Sequence, residues 1–112
     1  MKSLNEDQLV SIEIDFEELK KNRLNEDFLT MFGGIIKILL DGMFGGGYVP
    51  ATIGGKRGDL FSFARTIGRE KQYLDAAKTH GLDDPRTYEN KRKLELAAKN
   101  FKATTGIPWP FK

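Results

Sequence analysis

The chain has 112 residues, 30% of them charged and 39% apolar. That suits one globular domain with a modest core and is too apolar for a disordered chain. It has no cysteine, which excludes a disulfide framework and thiolate chemistry. The formal net charge of +2 is unevenly spread. Residues 1–55 hold five Lys/Arg against nine Asp/Glu, net −4, and residues 56–112 hold thirteen against seven, net +6. Such asymmetry offers nucleic acid a basic half, or two copies a head-to-tail fit. The N-terminus MKSLNEDQLV lacks the apolar core of a secretory signal. No uncharged apolar run reaches the roughly 18 residues of a spanning helix, so no transmembrane segment is expected.

Residues 1–8 are polar and are expected to be flexible. Val10, Ile12, Ile14 and Phe16 then alternate with Ser11, Glu13 and Asp15, the period of a half-buried strand. A lone strand leaves both edges unpaired, so it needs a partner around Tyr48–Ile53 or from another chain. Glu17–Arg23 suits a short helical turn. Leu24, Phe28, Phe32, Ile35, Ile36, Leu39, Leu40 and Met43 follow at spacings of three and four, an amphipathic helix with a wide apolar face. Asn25 is its expected N-cap, with Glu26 and Asp27 in the first turn. Gly33 and Gly34 lie inside it at a cost of about 1 kcal/mol each relative to Ala. Such a cost suggests a close crossing or a kink.

Residues 42–58 hold seven glycines and read as a Gly-rich loop. Asp59 then looks like the cap of a second helix reaching His80, with Leu60, Phe63, Ala64, Ile67, Leu74 and Ala77 on its inner face and Gly81 as its stop. Asp83-Asp84-Pro85 opens a third, with proline at its first position. Leu94, Ala97, Ala98 and Phe101 face inward, and Gly106 ends it. Residues 105–112 carry Pro108 and Pro110 around Trp109, an extended tail. The expected fold is mainly α: a single small domain of about three helices with a short N-terminal β-strand and a Gly-rich loop.

Catalytic signatures fail on inspection. A phosphate-binding P-loop needs Gly, four residues, then Gly-Lys-Ser/Thr. Gly55-Lys56 has Pro50 where the first glycine belongs and Arg57 where the hydroxyl belongs. The tripeptide Arg57-Gly58-Asp59 matches an adhesion motif that arises often by chance, and it receives no adhesive role. His80 is the only histidine. In a last helical turn it complements the helix dipole, and no activated nucleophile accompanies it. No catalytic residue, cofactor or metal is expected. The basic residues are a better candidate. Lys56, Arg57, Arg92, Lys93 and Lys99 are possible phosphate contacts, with Arg65, Arg69, Lys71 and Lys78 adding charge nearby in sequence. Acidic residues interrupt the run, and no recognised nucleic-acid motif is present. Trp109 is a typical interface anchor and either docks on its own domain or enters a neighbour. Phe28, Phe32, Ile36, Leu40, Trp109 and Phe111 are the candidate partner interface.

The C-terminal half, from Phe61-Ser-Phe-Ala-Arg65 through Gly81-Leu-Asp-Asp-Pro-Arg-Thr-Tyr88 to Phe101-Lys-Ala-Thr-Thr-Gly-Ile-Pro-Trp-Pro-Phe-Lys112, resembles the ends of small uncharacterised proteins of tailed bacteriophages. The resemblance implies a virion-associated or assembly protein rather than an enzyme, found in the virion or host cytoplasm, and carries no site residues. The expected function is a non-enzymatic structural protein making contacts with other subunits, as a homo-oligomer or larger assembly. The alternative is a small nucleic-acid-binding accessory protein using the basic half.

Overall fold

The computed structural model describes residues 12–45 and 51–111. The expected flexible segment 1–8, Val10 and the glycines at 46 and 47 lie outside the described residues. Six elements follow in order: β1 (Ile12–Asp15), α1 (Phe16–Lys21), α2 (Glu26–Gly45), β2 (Ala51–Gly54), α3 (Arg57–His80) and α4 (Pro85–Thr105). The domain is mainly helical, as the periodicities imply.

The alternation in β1 buries Ile12 and Ile14 and exposes Glu13 and Asp15. Its partner is β2, paired in parallel with Ile12 opposite Ala51 and Ile14 opposite Ile53. Parallel neighbours need a long crossover, here α1 and α2. The Asp15 carboxylate caps α1, accepting from the Glu17 amide at 3.0 Å. Asn25 caps α2 as expected, accepting from the Phe28 amide at 3.0 Å. Leu24 precedes that cap and is 88% exposed, so it drops out of the apolar stripe. The helix also outlasts its expected end: Gly42 and Gly45 belong to α2, and the Gly-rich loop of residues 42–58 is divided by β2 and the first turn of α3.

Asp59 does not cap α3. The helix begins at Arg57, Lys56 holds the cap position without a side-chain bond, and Asp59 is buried in the first turn. Lys20 of α1 reaches its Oδ2 at 2.7 Å and is the only partner of that oxygen among the described residues. The bond to Asp59 raises the Lys20 ammonium above its ordinary pKa of 10.5, against a smaller loss of hydration. This pair ties the short α1 to the start of α3. Gly81 and Gly106 stop α3 and α4 as expected, Gly106 in the left-handed region at φ +77°. Asp84 caps α4, accepting from the Arg86 amide at 2.8 Å and its guanidinium at 3.0 Å. Those bonds hold its carboxyl down at about 2.

Each of the four helices sends one phenylalanine to the centre: Phe16, Phe32, Phe63 and Phe101. All six pairs have ring centroids between 5.5 and 6.5 Å, with edge-on, tilted and one stacked arrangement. Each ring contributes about 1.5–3 kcal/mol by burial, and well-oriented pairs add about 0.5–1.5 kcal/mol. Gly55 closes one side, at φ +144°, because a Cβ there would stand 2.9 Å from the Phe16 Cβ. The α3–α4 hairpin is pinned by the Thr66 hydroxyl, 2.7 Å from the Ser62 carbonyl and 3.3 Å from that of Ala97. In the connection, the Thr87 hydroxyl donates to the Gly81 carbonyl at 2.7 Å.

The tail after α4 is extended but does not stand free. Ile107 is fully buried, and the Trp109 ring lies 5.2 Å from Phe101 and 6.1 Å from Phe63. The indole Nε1 donates to Glu70 Oε1 at 2.9 Å. Burial pushes the Glu70 carboxyl above its ordinary 4.5, and the indole bond pulls the other way. Pro110 then crosses α2 at Gly33, where a Cβ would meet the proline Cβ at 3.3 Å. The close crossing expected of the glycine pair is therefore made by the tail at Gly33. Among the described residues, nothing lies within 4 Å of a Cβ at Gly34.

Candidate interaction surface

The apolar face of α2 is wider than the core it covers. Phe32, Ile36 and Leu40 are buried, at one edge of the face. Phe28, Leu29, Ile35 and Leu39 are half-buried. Met31, Ile38, Met43 and Phe44 are 50%, 47%, 41% and 39% exposed. On a helix, positions 28, 31, 35, 38 and 42 form one ridge beside the core-facing 32, 36, 40 row. Half of the apolar face thus meets solvent.

This corrects the expected partner interface. Phe32, Ile36 and Leu40 are used by the chain's own core, and Trp109 docks on its own domain through Phe63, Phe101 and Glu70. Phe28 and Phe111 are only partly covered, Phe111 lying 6.3 Å from the Trp109 ring. Beside that buried row, the neighbouring ridge at Met31, Ile35 and Ile38 reaches the surface. Periodicity could not separate the two rows, because both belong to one apolar face.

Two grooves border that ridge. The first, of about 180 Å³, has a floor of Phe28, Met31, Ile35, Ile14 and Leu19, with Glu13, Asp15 and Glu18 along its rim. The rim follows from the fold: Glu13 and Asp15 are the outward positions of β1, and Glu18 is an exposed position of α1. The second, of about 450 Å³, lies between α2, β2 and α3. It is lined by Leu39, Gly42, Met43, Ile53, Leu60, Phe63, Ala64 and Ile67. Small-molecule sites span roughly 300–1,000 Å³ and carry a few polar groups that fix orientation. The first groove is below that size, and no polar side chain is found among the described residues that line the second. Both suit apolar side chains of a protein partner. Among the described residues, no three or more His, Cys, Asp or Glu are grouped to hold a metal.

By length and composition alone α2 is apolar enough to cross a membrane. Its 20 residues have a mean hydropathy of 1.5 over the best window, of which 17% is buried. The expectation of no transmembrane segment rests on the charges that interrupt this helix, and its length and composition alone do not decide it. Lys37 and Asp41 sit on its exposed side, and each ion would cost about 2.5–3.5 kcal/mol at a bilayer centre.

The five basic residues singled out from sequence are all exposed, but they do not form one patch. Lys56 and Arg57 sit at the start of α3. Arg92 and Lys99, seven apart, share one side of α4. Lys93 joins a different side, where Arg65, Arg69, Leu96 and Asn100 line a shallow groove between α3 and α4. The guanidinium of Arg65 stands 5.7 Å from the exposed Phe61 ring. Arg65 and Arg69 are thus the cations brought together with Lys93. Glu70 was also legible in principle, since a glutamate at 70 falls on the same inner row as Phe63, Ile67 and Leu74. Asp59 carried no such unambiguous signal. Its burial removes the carboxylate of the Arg57-Gly58-Asp59 tripeptide from the surface.

No family model matches the chain, and neither a curated protein nor a solved structure shows significant similarity to it.

Proposed function

We propose that this protein is a non-enzymatic assembly subunit that works by burying the outer ridge of α2 against another protein surface. The observation that carries the reading is the exposure of Met31 and Ile38, about half in solvent, on a helix whose inner row already completes a core. Contiguous exposed apolar surface is the usual mark of a partner site. The resemblance of the C-terminal half to tailed-phage proteins extends the reading to a virion component, placed in the particle or in the host cytoplasm during assembly. The test is light scattering behind size exclusion across a concentration series, beside analysis of the purified particle. Self-association that is lost on Ile38→Lys supports the reading. A strict monomer that is absent from the particle overturns it.

A second reading has its own observation. Arg65, Arg69 and Lys93 converge on one groove, and such cations suit phosphates without reading bases. A gel shift that is absent at about 50 mM salt, where phosphate contacts are strong, removes that reading.

A further inference from the structure

The molecule carries two surfaces of opposite charge, each mixed with apolar side chains, and they share no residue. One is the groove at β1, α1 and the start of α2. Its rim is Glu13, Asp15 and Glu18, and its floor is Phe28, Met31 and Ile35. No ion pair among the described residues uses Glu13 or Glu18. The other is the outer side of the α3–α4 hairpin, where Phe61 and Leu96 are 68% and 61% exposed. Arg65, Arg69 and Lys93 lie beside them.

We propose that the acidic groove of one copy receives the Arg65–Lys93 side of a second copy, with Phe61 or Leu96 entering the groove floor. This rests on the assembly reading and names the surfaces that carry it. A two-fold axis passing through either surface would set that surface against itself, with carboxylates facing carboxylates or cations facing cations, at several kcal/mol for close like charges. The complementary pairing avoids that penalty. It also leaves one free groove and one free basic side at the two ends of every dimer. A contact of this head-to-tail kind closes into a ring or runs on as a filament, depending on the rotation it imposes. The contact is partly exposed and charged, so added salt weakens it.

Charge reversal tests it. In Glu13→Lys/Glu18→Lys the groove becomes basic, and in Arg65→Glu/Lys93→Glu the hairpin side becomes acidic. All four residues are exposed, and circular dichroism checks that both variants keep their helices. Each variant alone should associate at least about a hundredfold more weakly than the wild type, since a 1.4 kcal/mol loss is tenfold and like charges cost several. Mixed together, the two variants should assemble again, because every contact in an alternating chain is then complementary. Wild-type protein that associates while both variants associate equally well overturns the head-to-tail contact and leaves the assembly reading standing. Mixed variants that stay apart also overturn the contact. A wild type that stays monomeric, with its basic side shifting a DNA fragment instead, overturns it in favour of nucleic acid. The assembly reading is then decided separately, by the protein's presence in the particle.

Discussion

Gly33 and Gly34 are adjacent in the interior of the same helix, and they differ in one respect: Pro110 of the tail lies over the first, and none of the described residues lies over the second. Alanine at either position should gain about 1 kcal/mol from helix propensity and reduced unfolded-state freedom. Gly34→Ala should deliver that gain in full, about 4 °C in midpoint for a domain of this size. At Gly33 the new Cβ would stand 3.3 Å from the Pro110 Cβ and 3.7 Å from its Cγ. The ring must then yield by a few tenths of an ångström, and the tail is anchored on both sides of it by Trp109 and Phe111. Overpacking of this kind costs about 1–3 kcal/mol, so Gly33→Ala should be neutral or destabilising. The cause is isolated by a double-mutant cycle with Pro110→Gly, in which Gly33→Ala should recover most of its gain. The expected coupling is about 1 kcal/mol or more, within the range for residues in contact. Urea denaturation of the four proteins measures it. Equal gains at Gly33 and Gly34 in the wild-type background, or a coupling near zero, would refute the docking of the tail on α2.

Three further outcomes follow from the same geometry. Trp109→Phe keeps an aromatic ring on Phe101 and removes the Nε1 donor to Glu70; it should cost about 1–3 kcal/mol in urea denaturation, and a loss under about 0.5 kcal/mol would show the bond to be idle. Burial raises the Glu70 pKa above 4.5 in the folded state, so the native state holds this proton more tightly than the unfolded one. Stability from this group is present below about 4.5 and is lost as pH rises through the folded pKa. Glu70→Gln keeps an acceptor for the indole without the charge; its stability relative to wild type should improve as pH rises from that value toward neutrality, and a pH-independent difference would contradict the assignment. Lys37 and Asp41 make α2 a poor spanning helix, so liposome flotation should leave the protein in the dense fraction, and flotation resistant to high salt would point to insertion.

What the sequence disclosed and what it hid divide along the range of the interactions involved. Caps and stops are local: Asn25, Asp84-Pro85, Gly81 and Gly106 each act within a few residues, and each does what its type implies. The alternation that turns Ile12 and Ile14 inward is local too, but the parallel register with Ala51 and Ile53 depends on a crossover of some three dozen residues. Asp59 shows the same limit from the other side. An aspartate ahead of an apolar run has the local form of an N-cap, and only the approach of Lys20 from α1 gives it another partner. The tail's composition gave its extended backbone but not its seat, which is set by Glu70 and Gly33 on two other helices. The candidate surface was hidden for a related reason. Both rows of α2 are apolar, so periodicity marks the whole face, and only the position of Phe16, Phe63 and Phe101 decides which row is core. That decision has a functional consequence. Because the inner row and the four-ring cluster already close the domain, Met31 and Ile38 keep about half of their surface in water and gain little from folding. They are the side chains that the proposed assembly contact would cover.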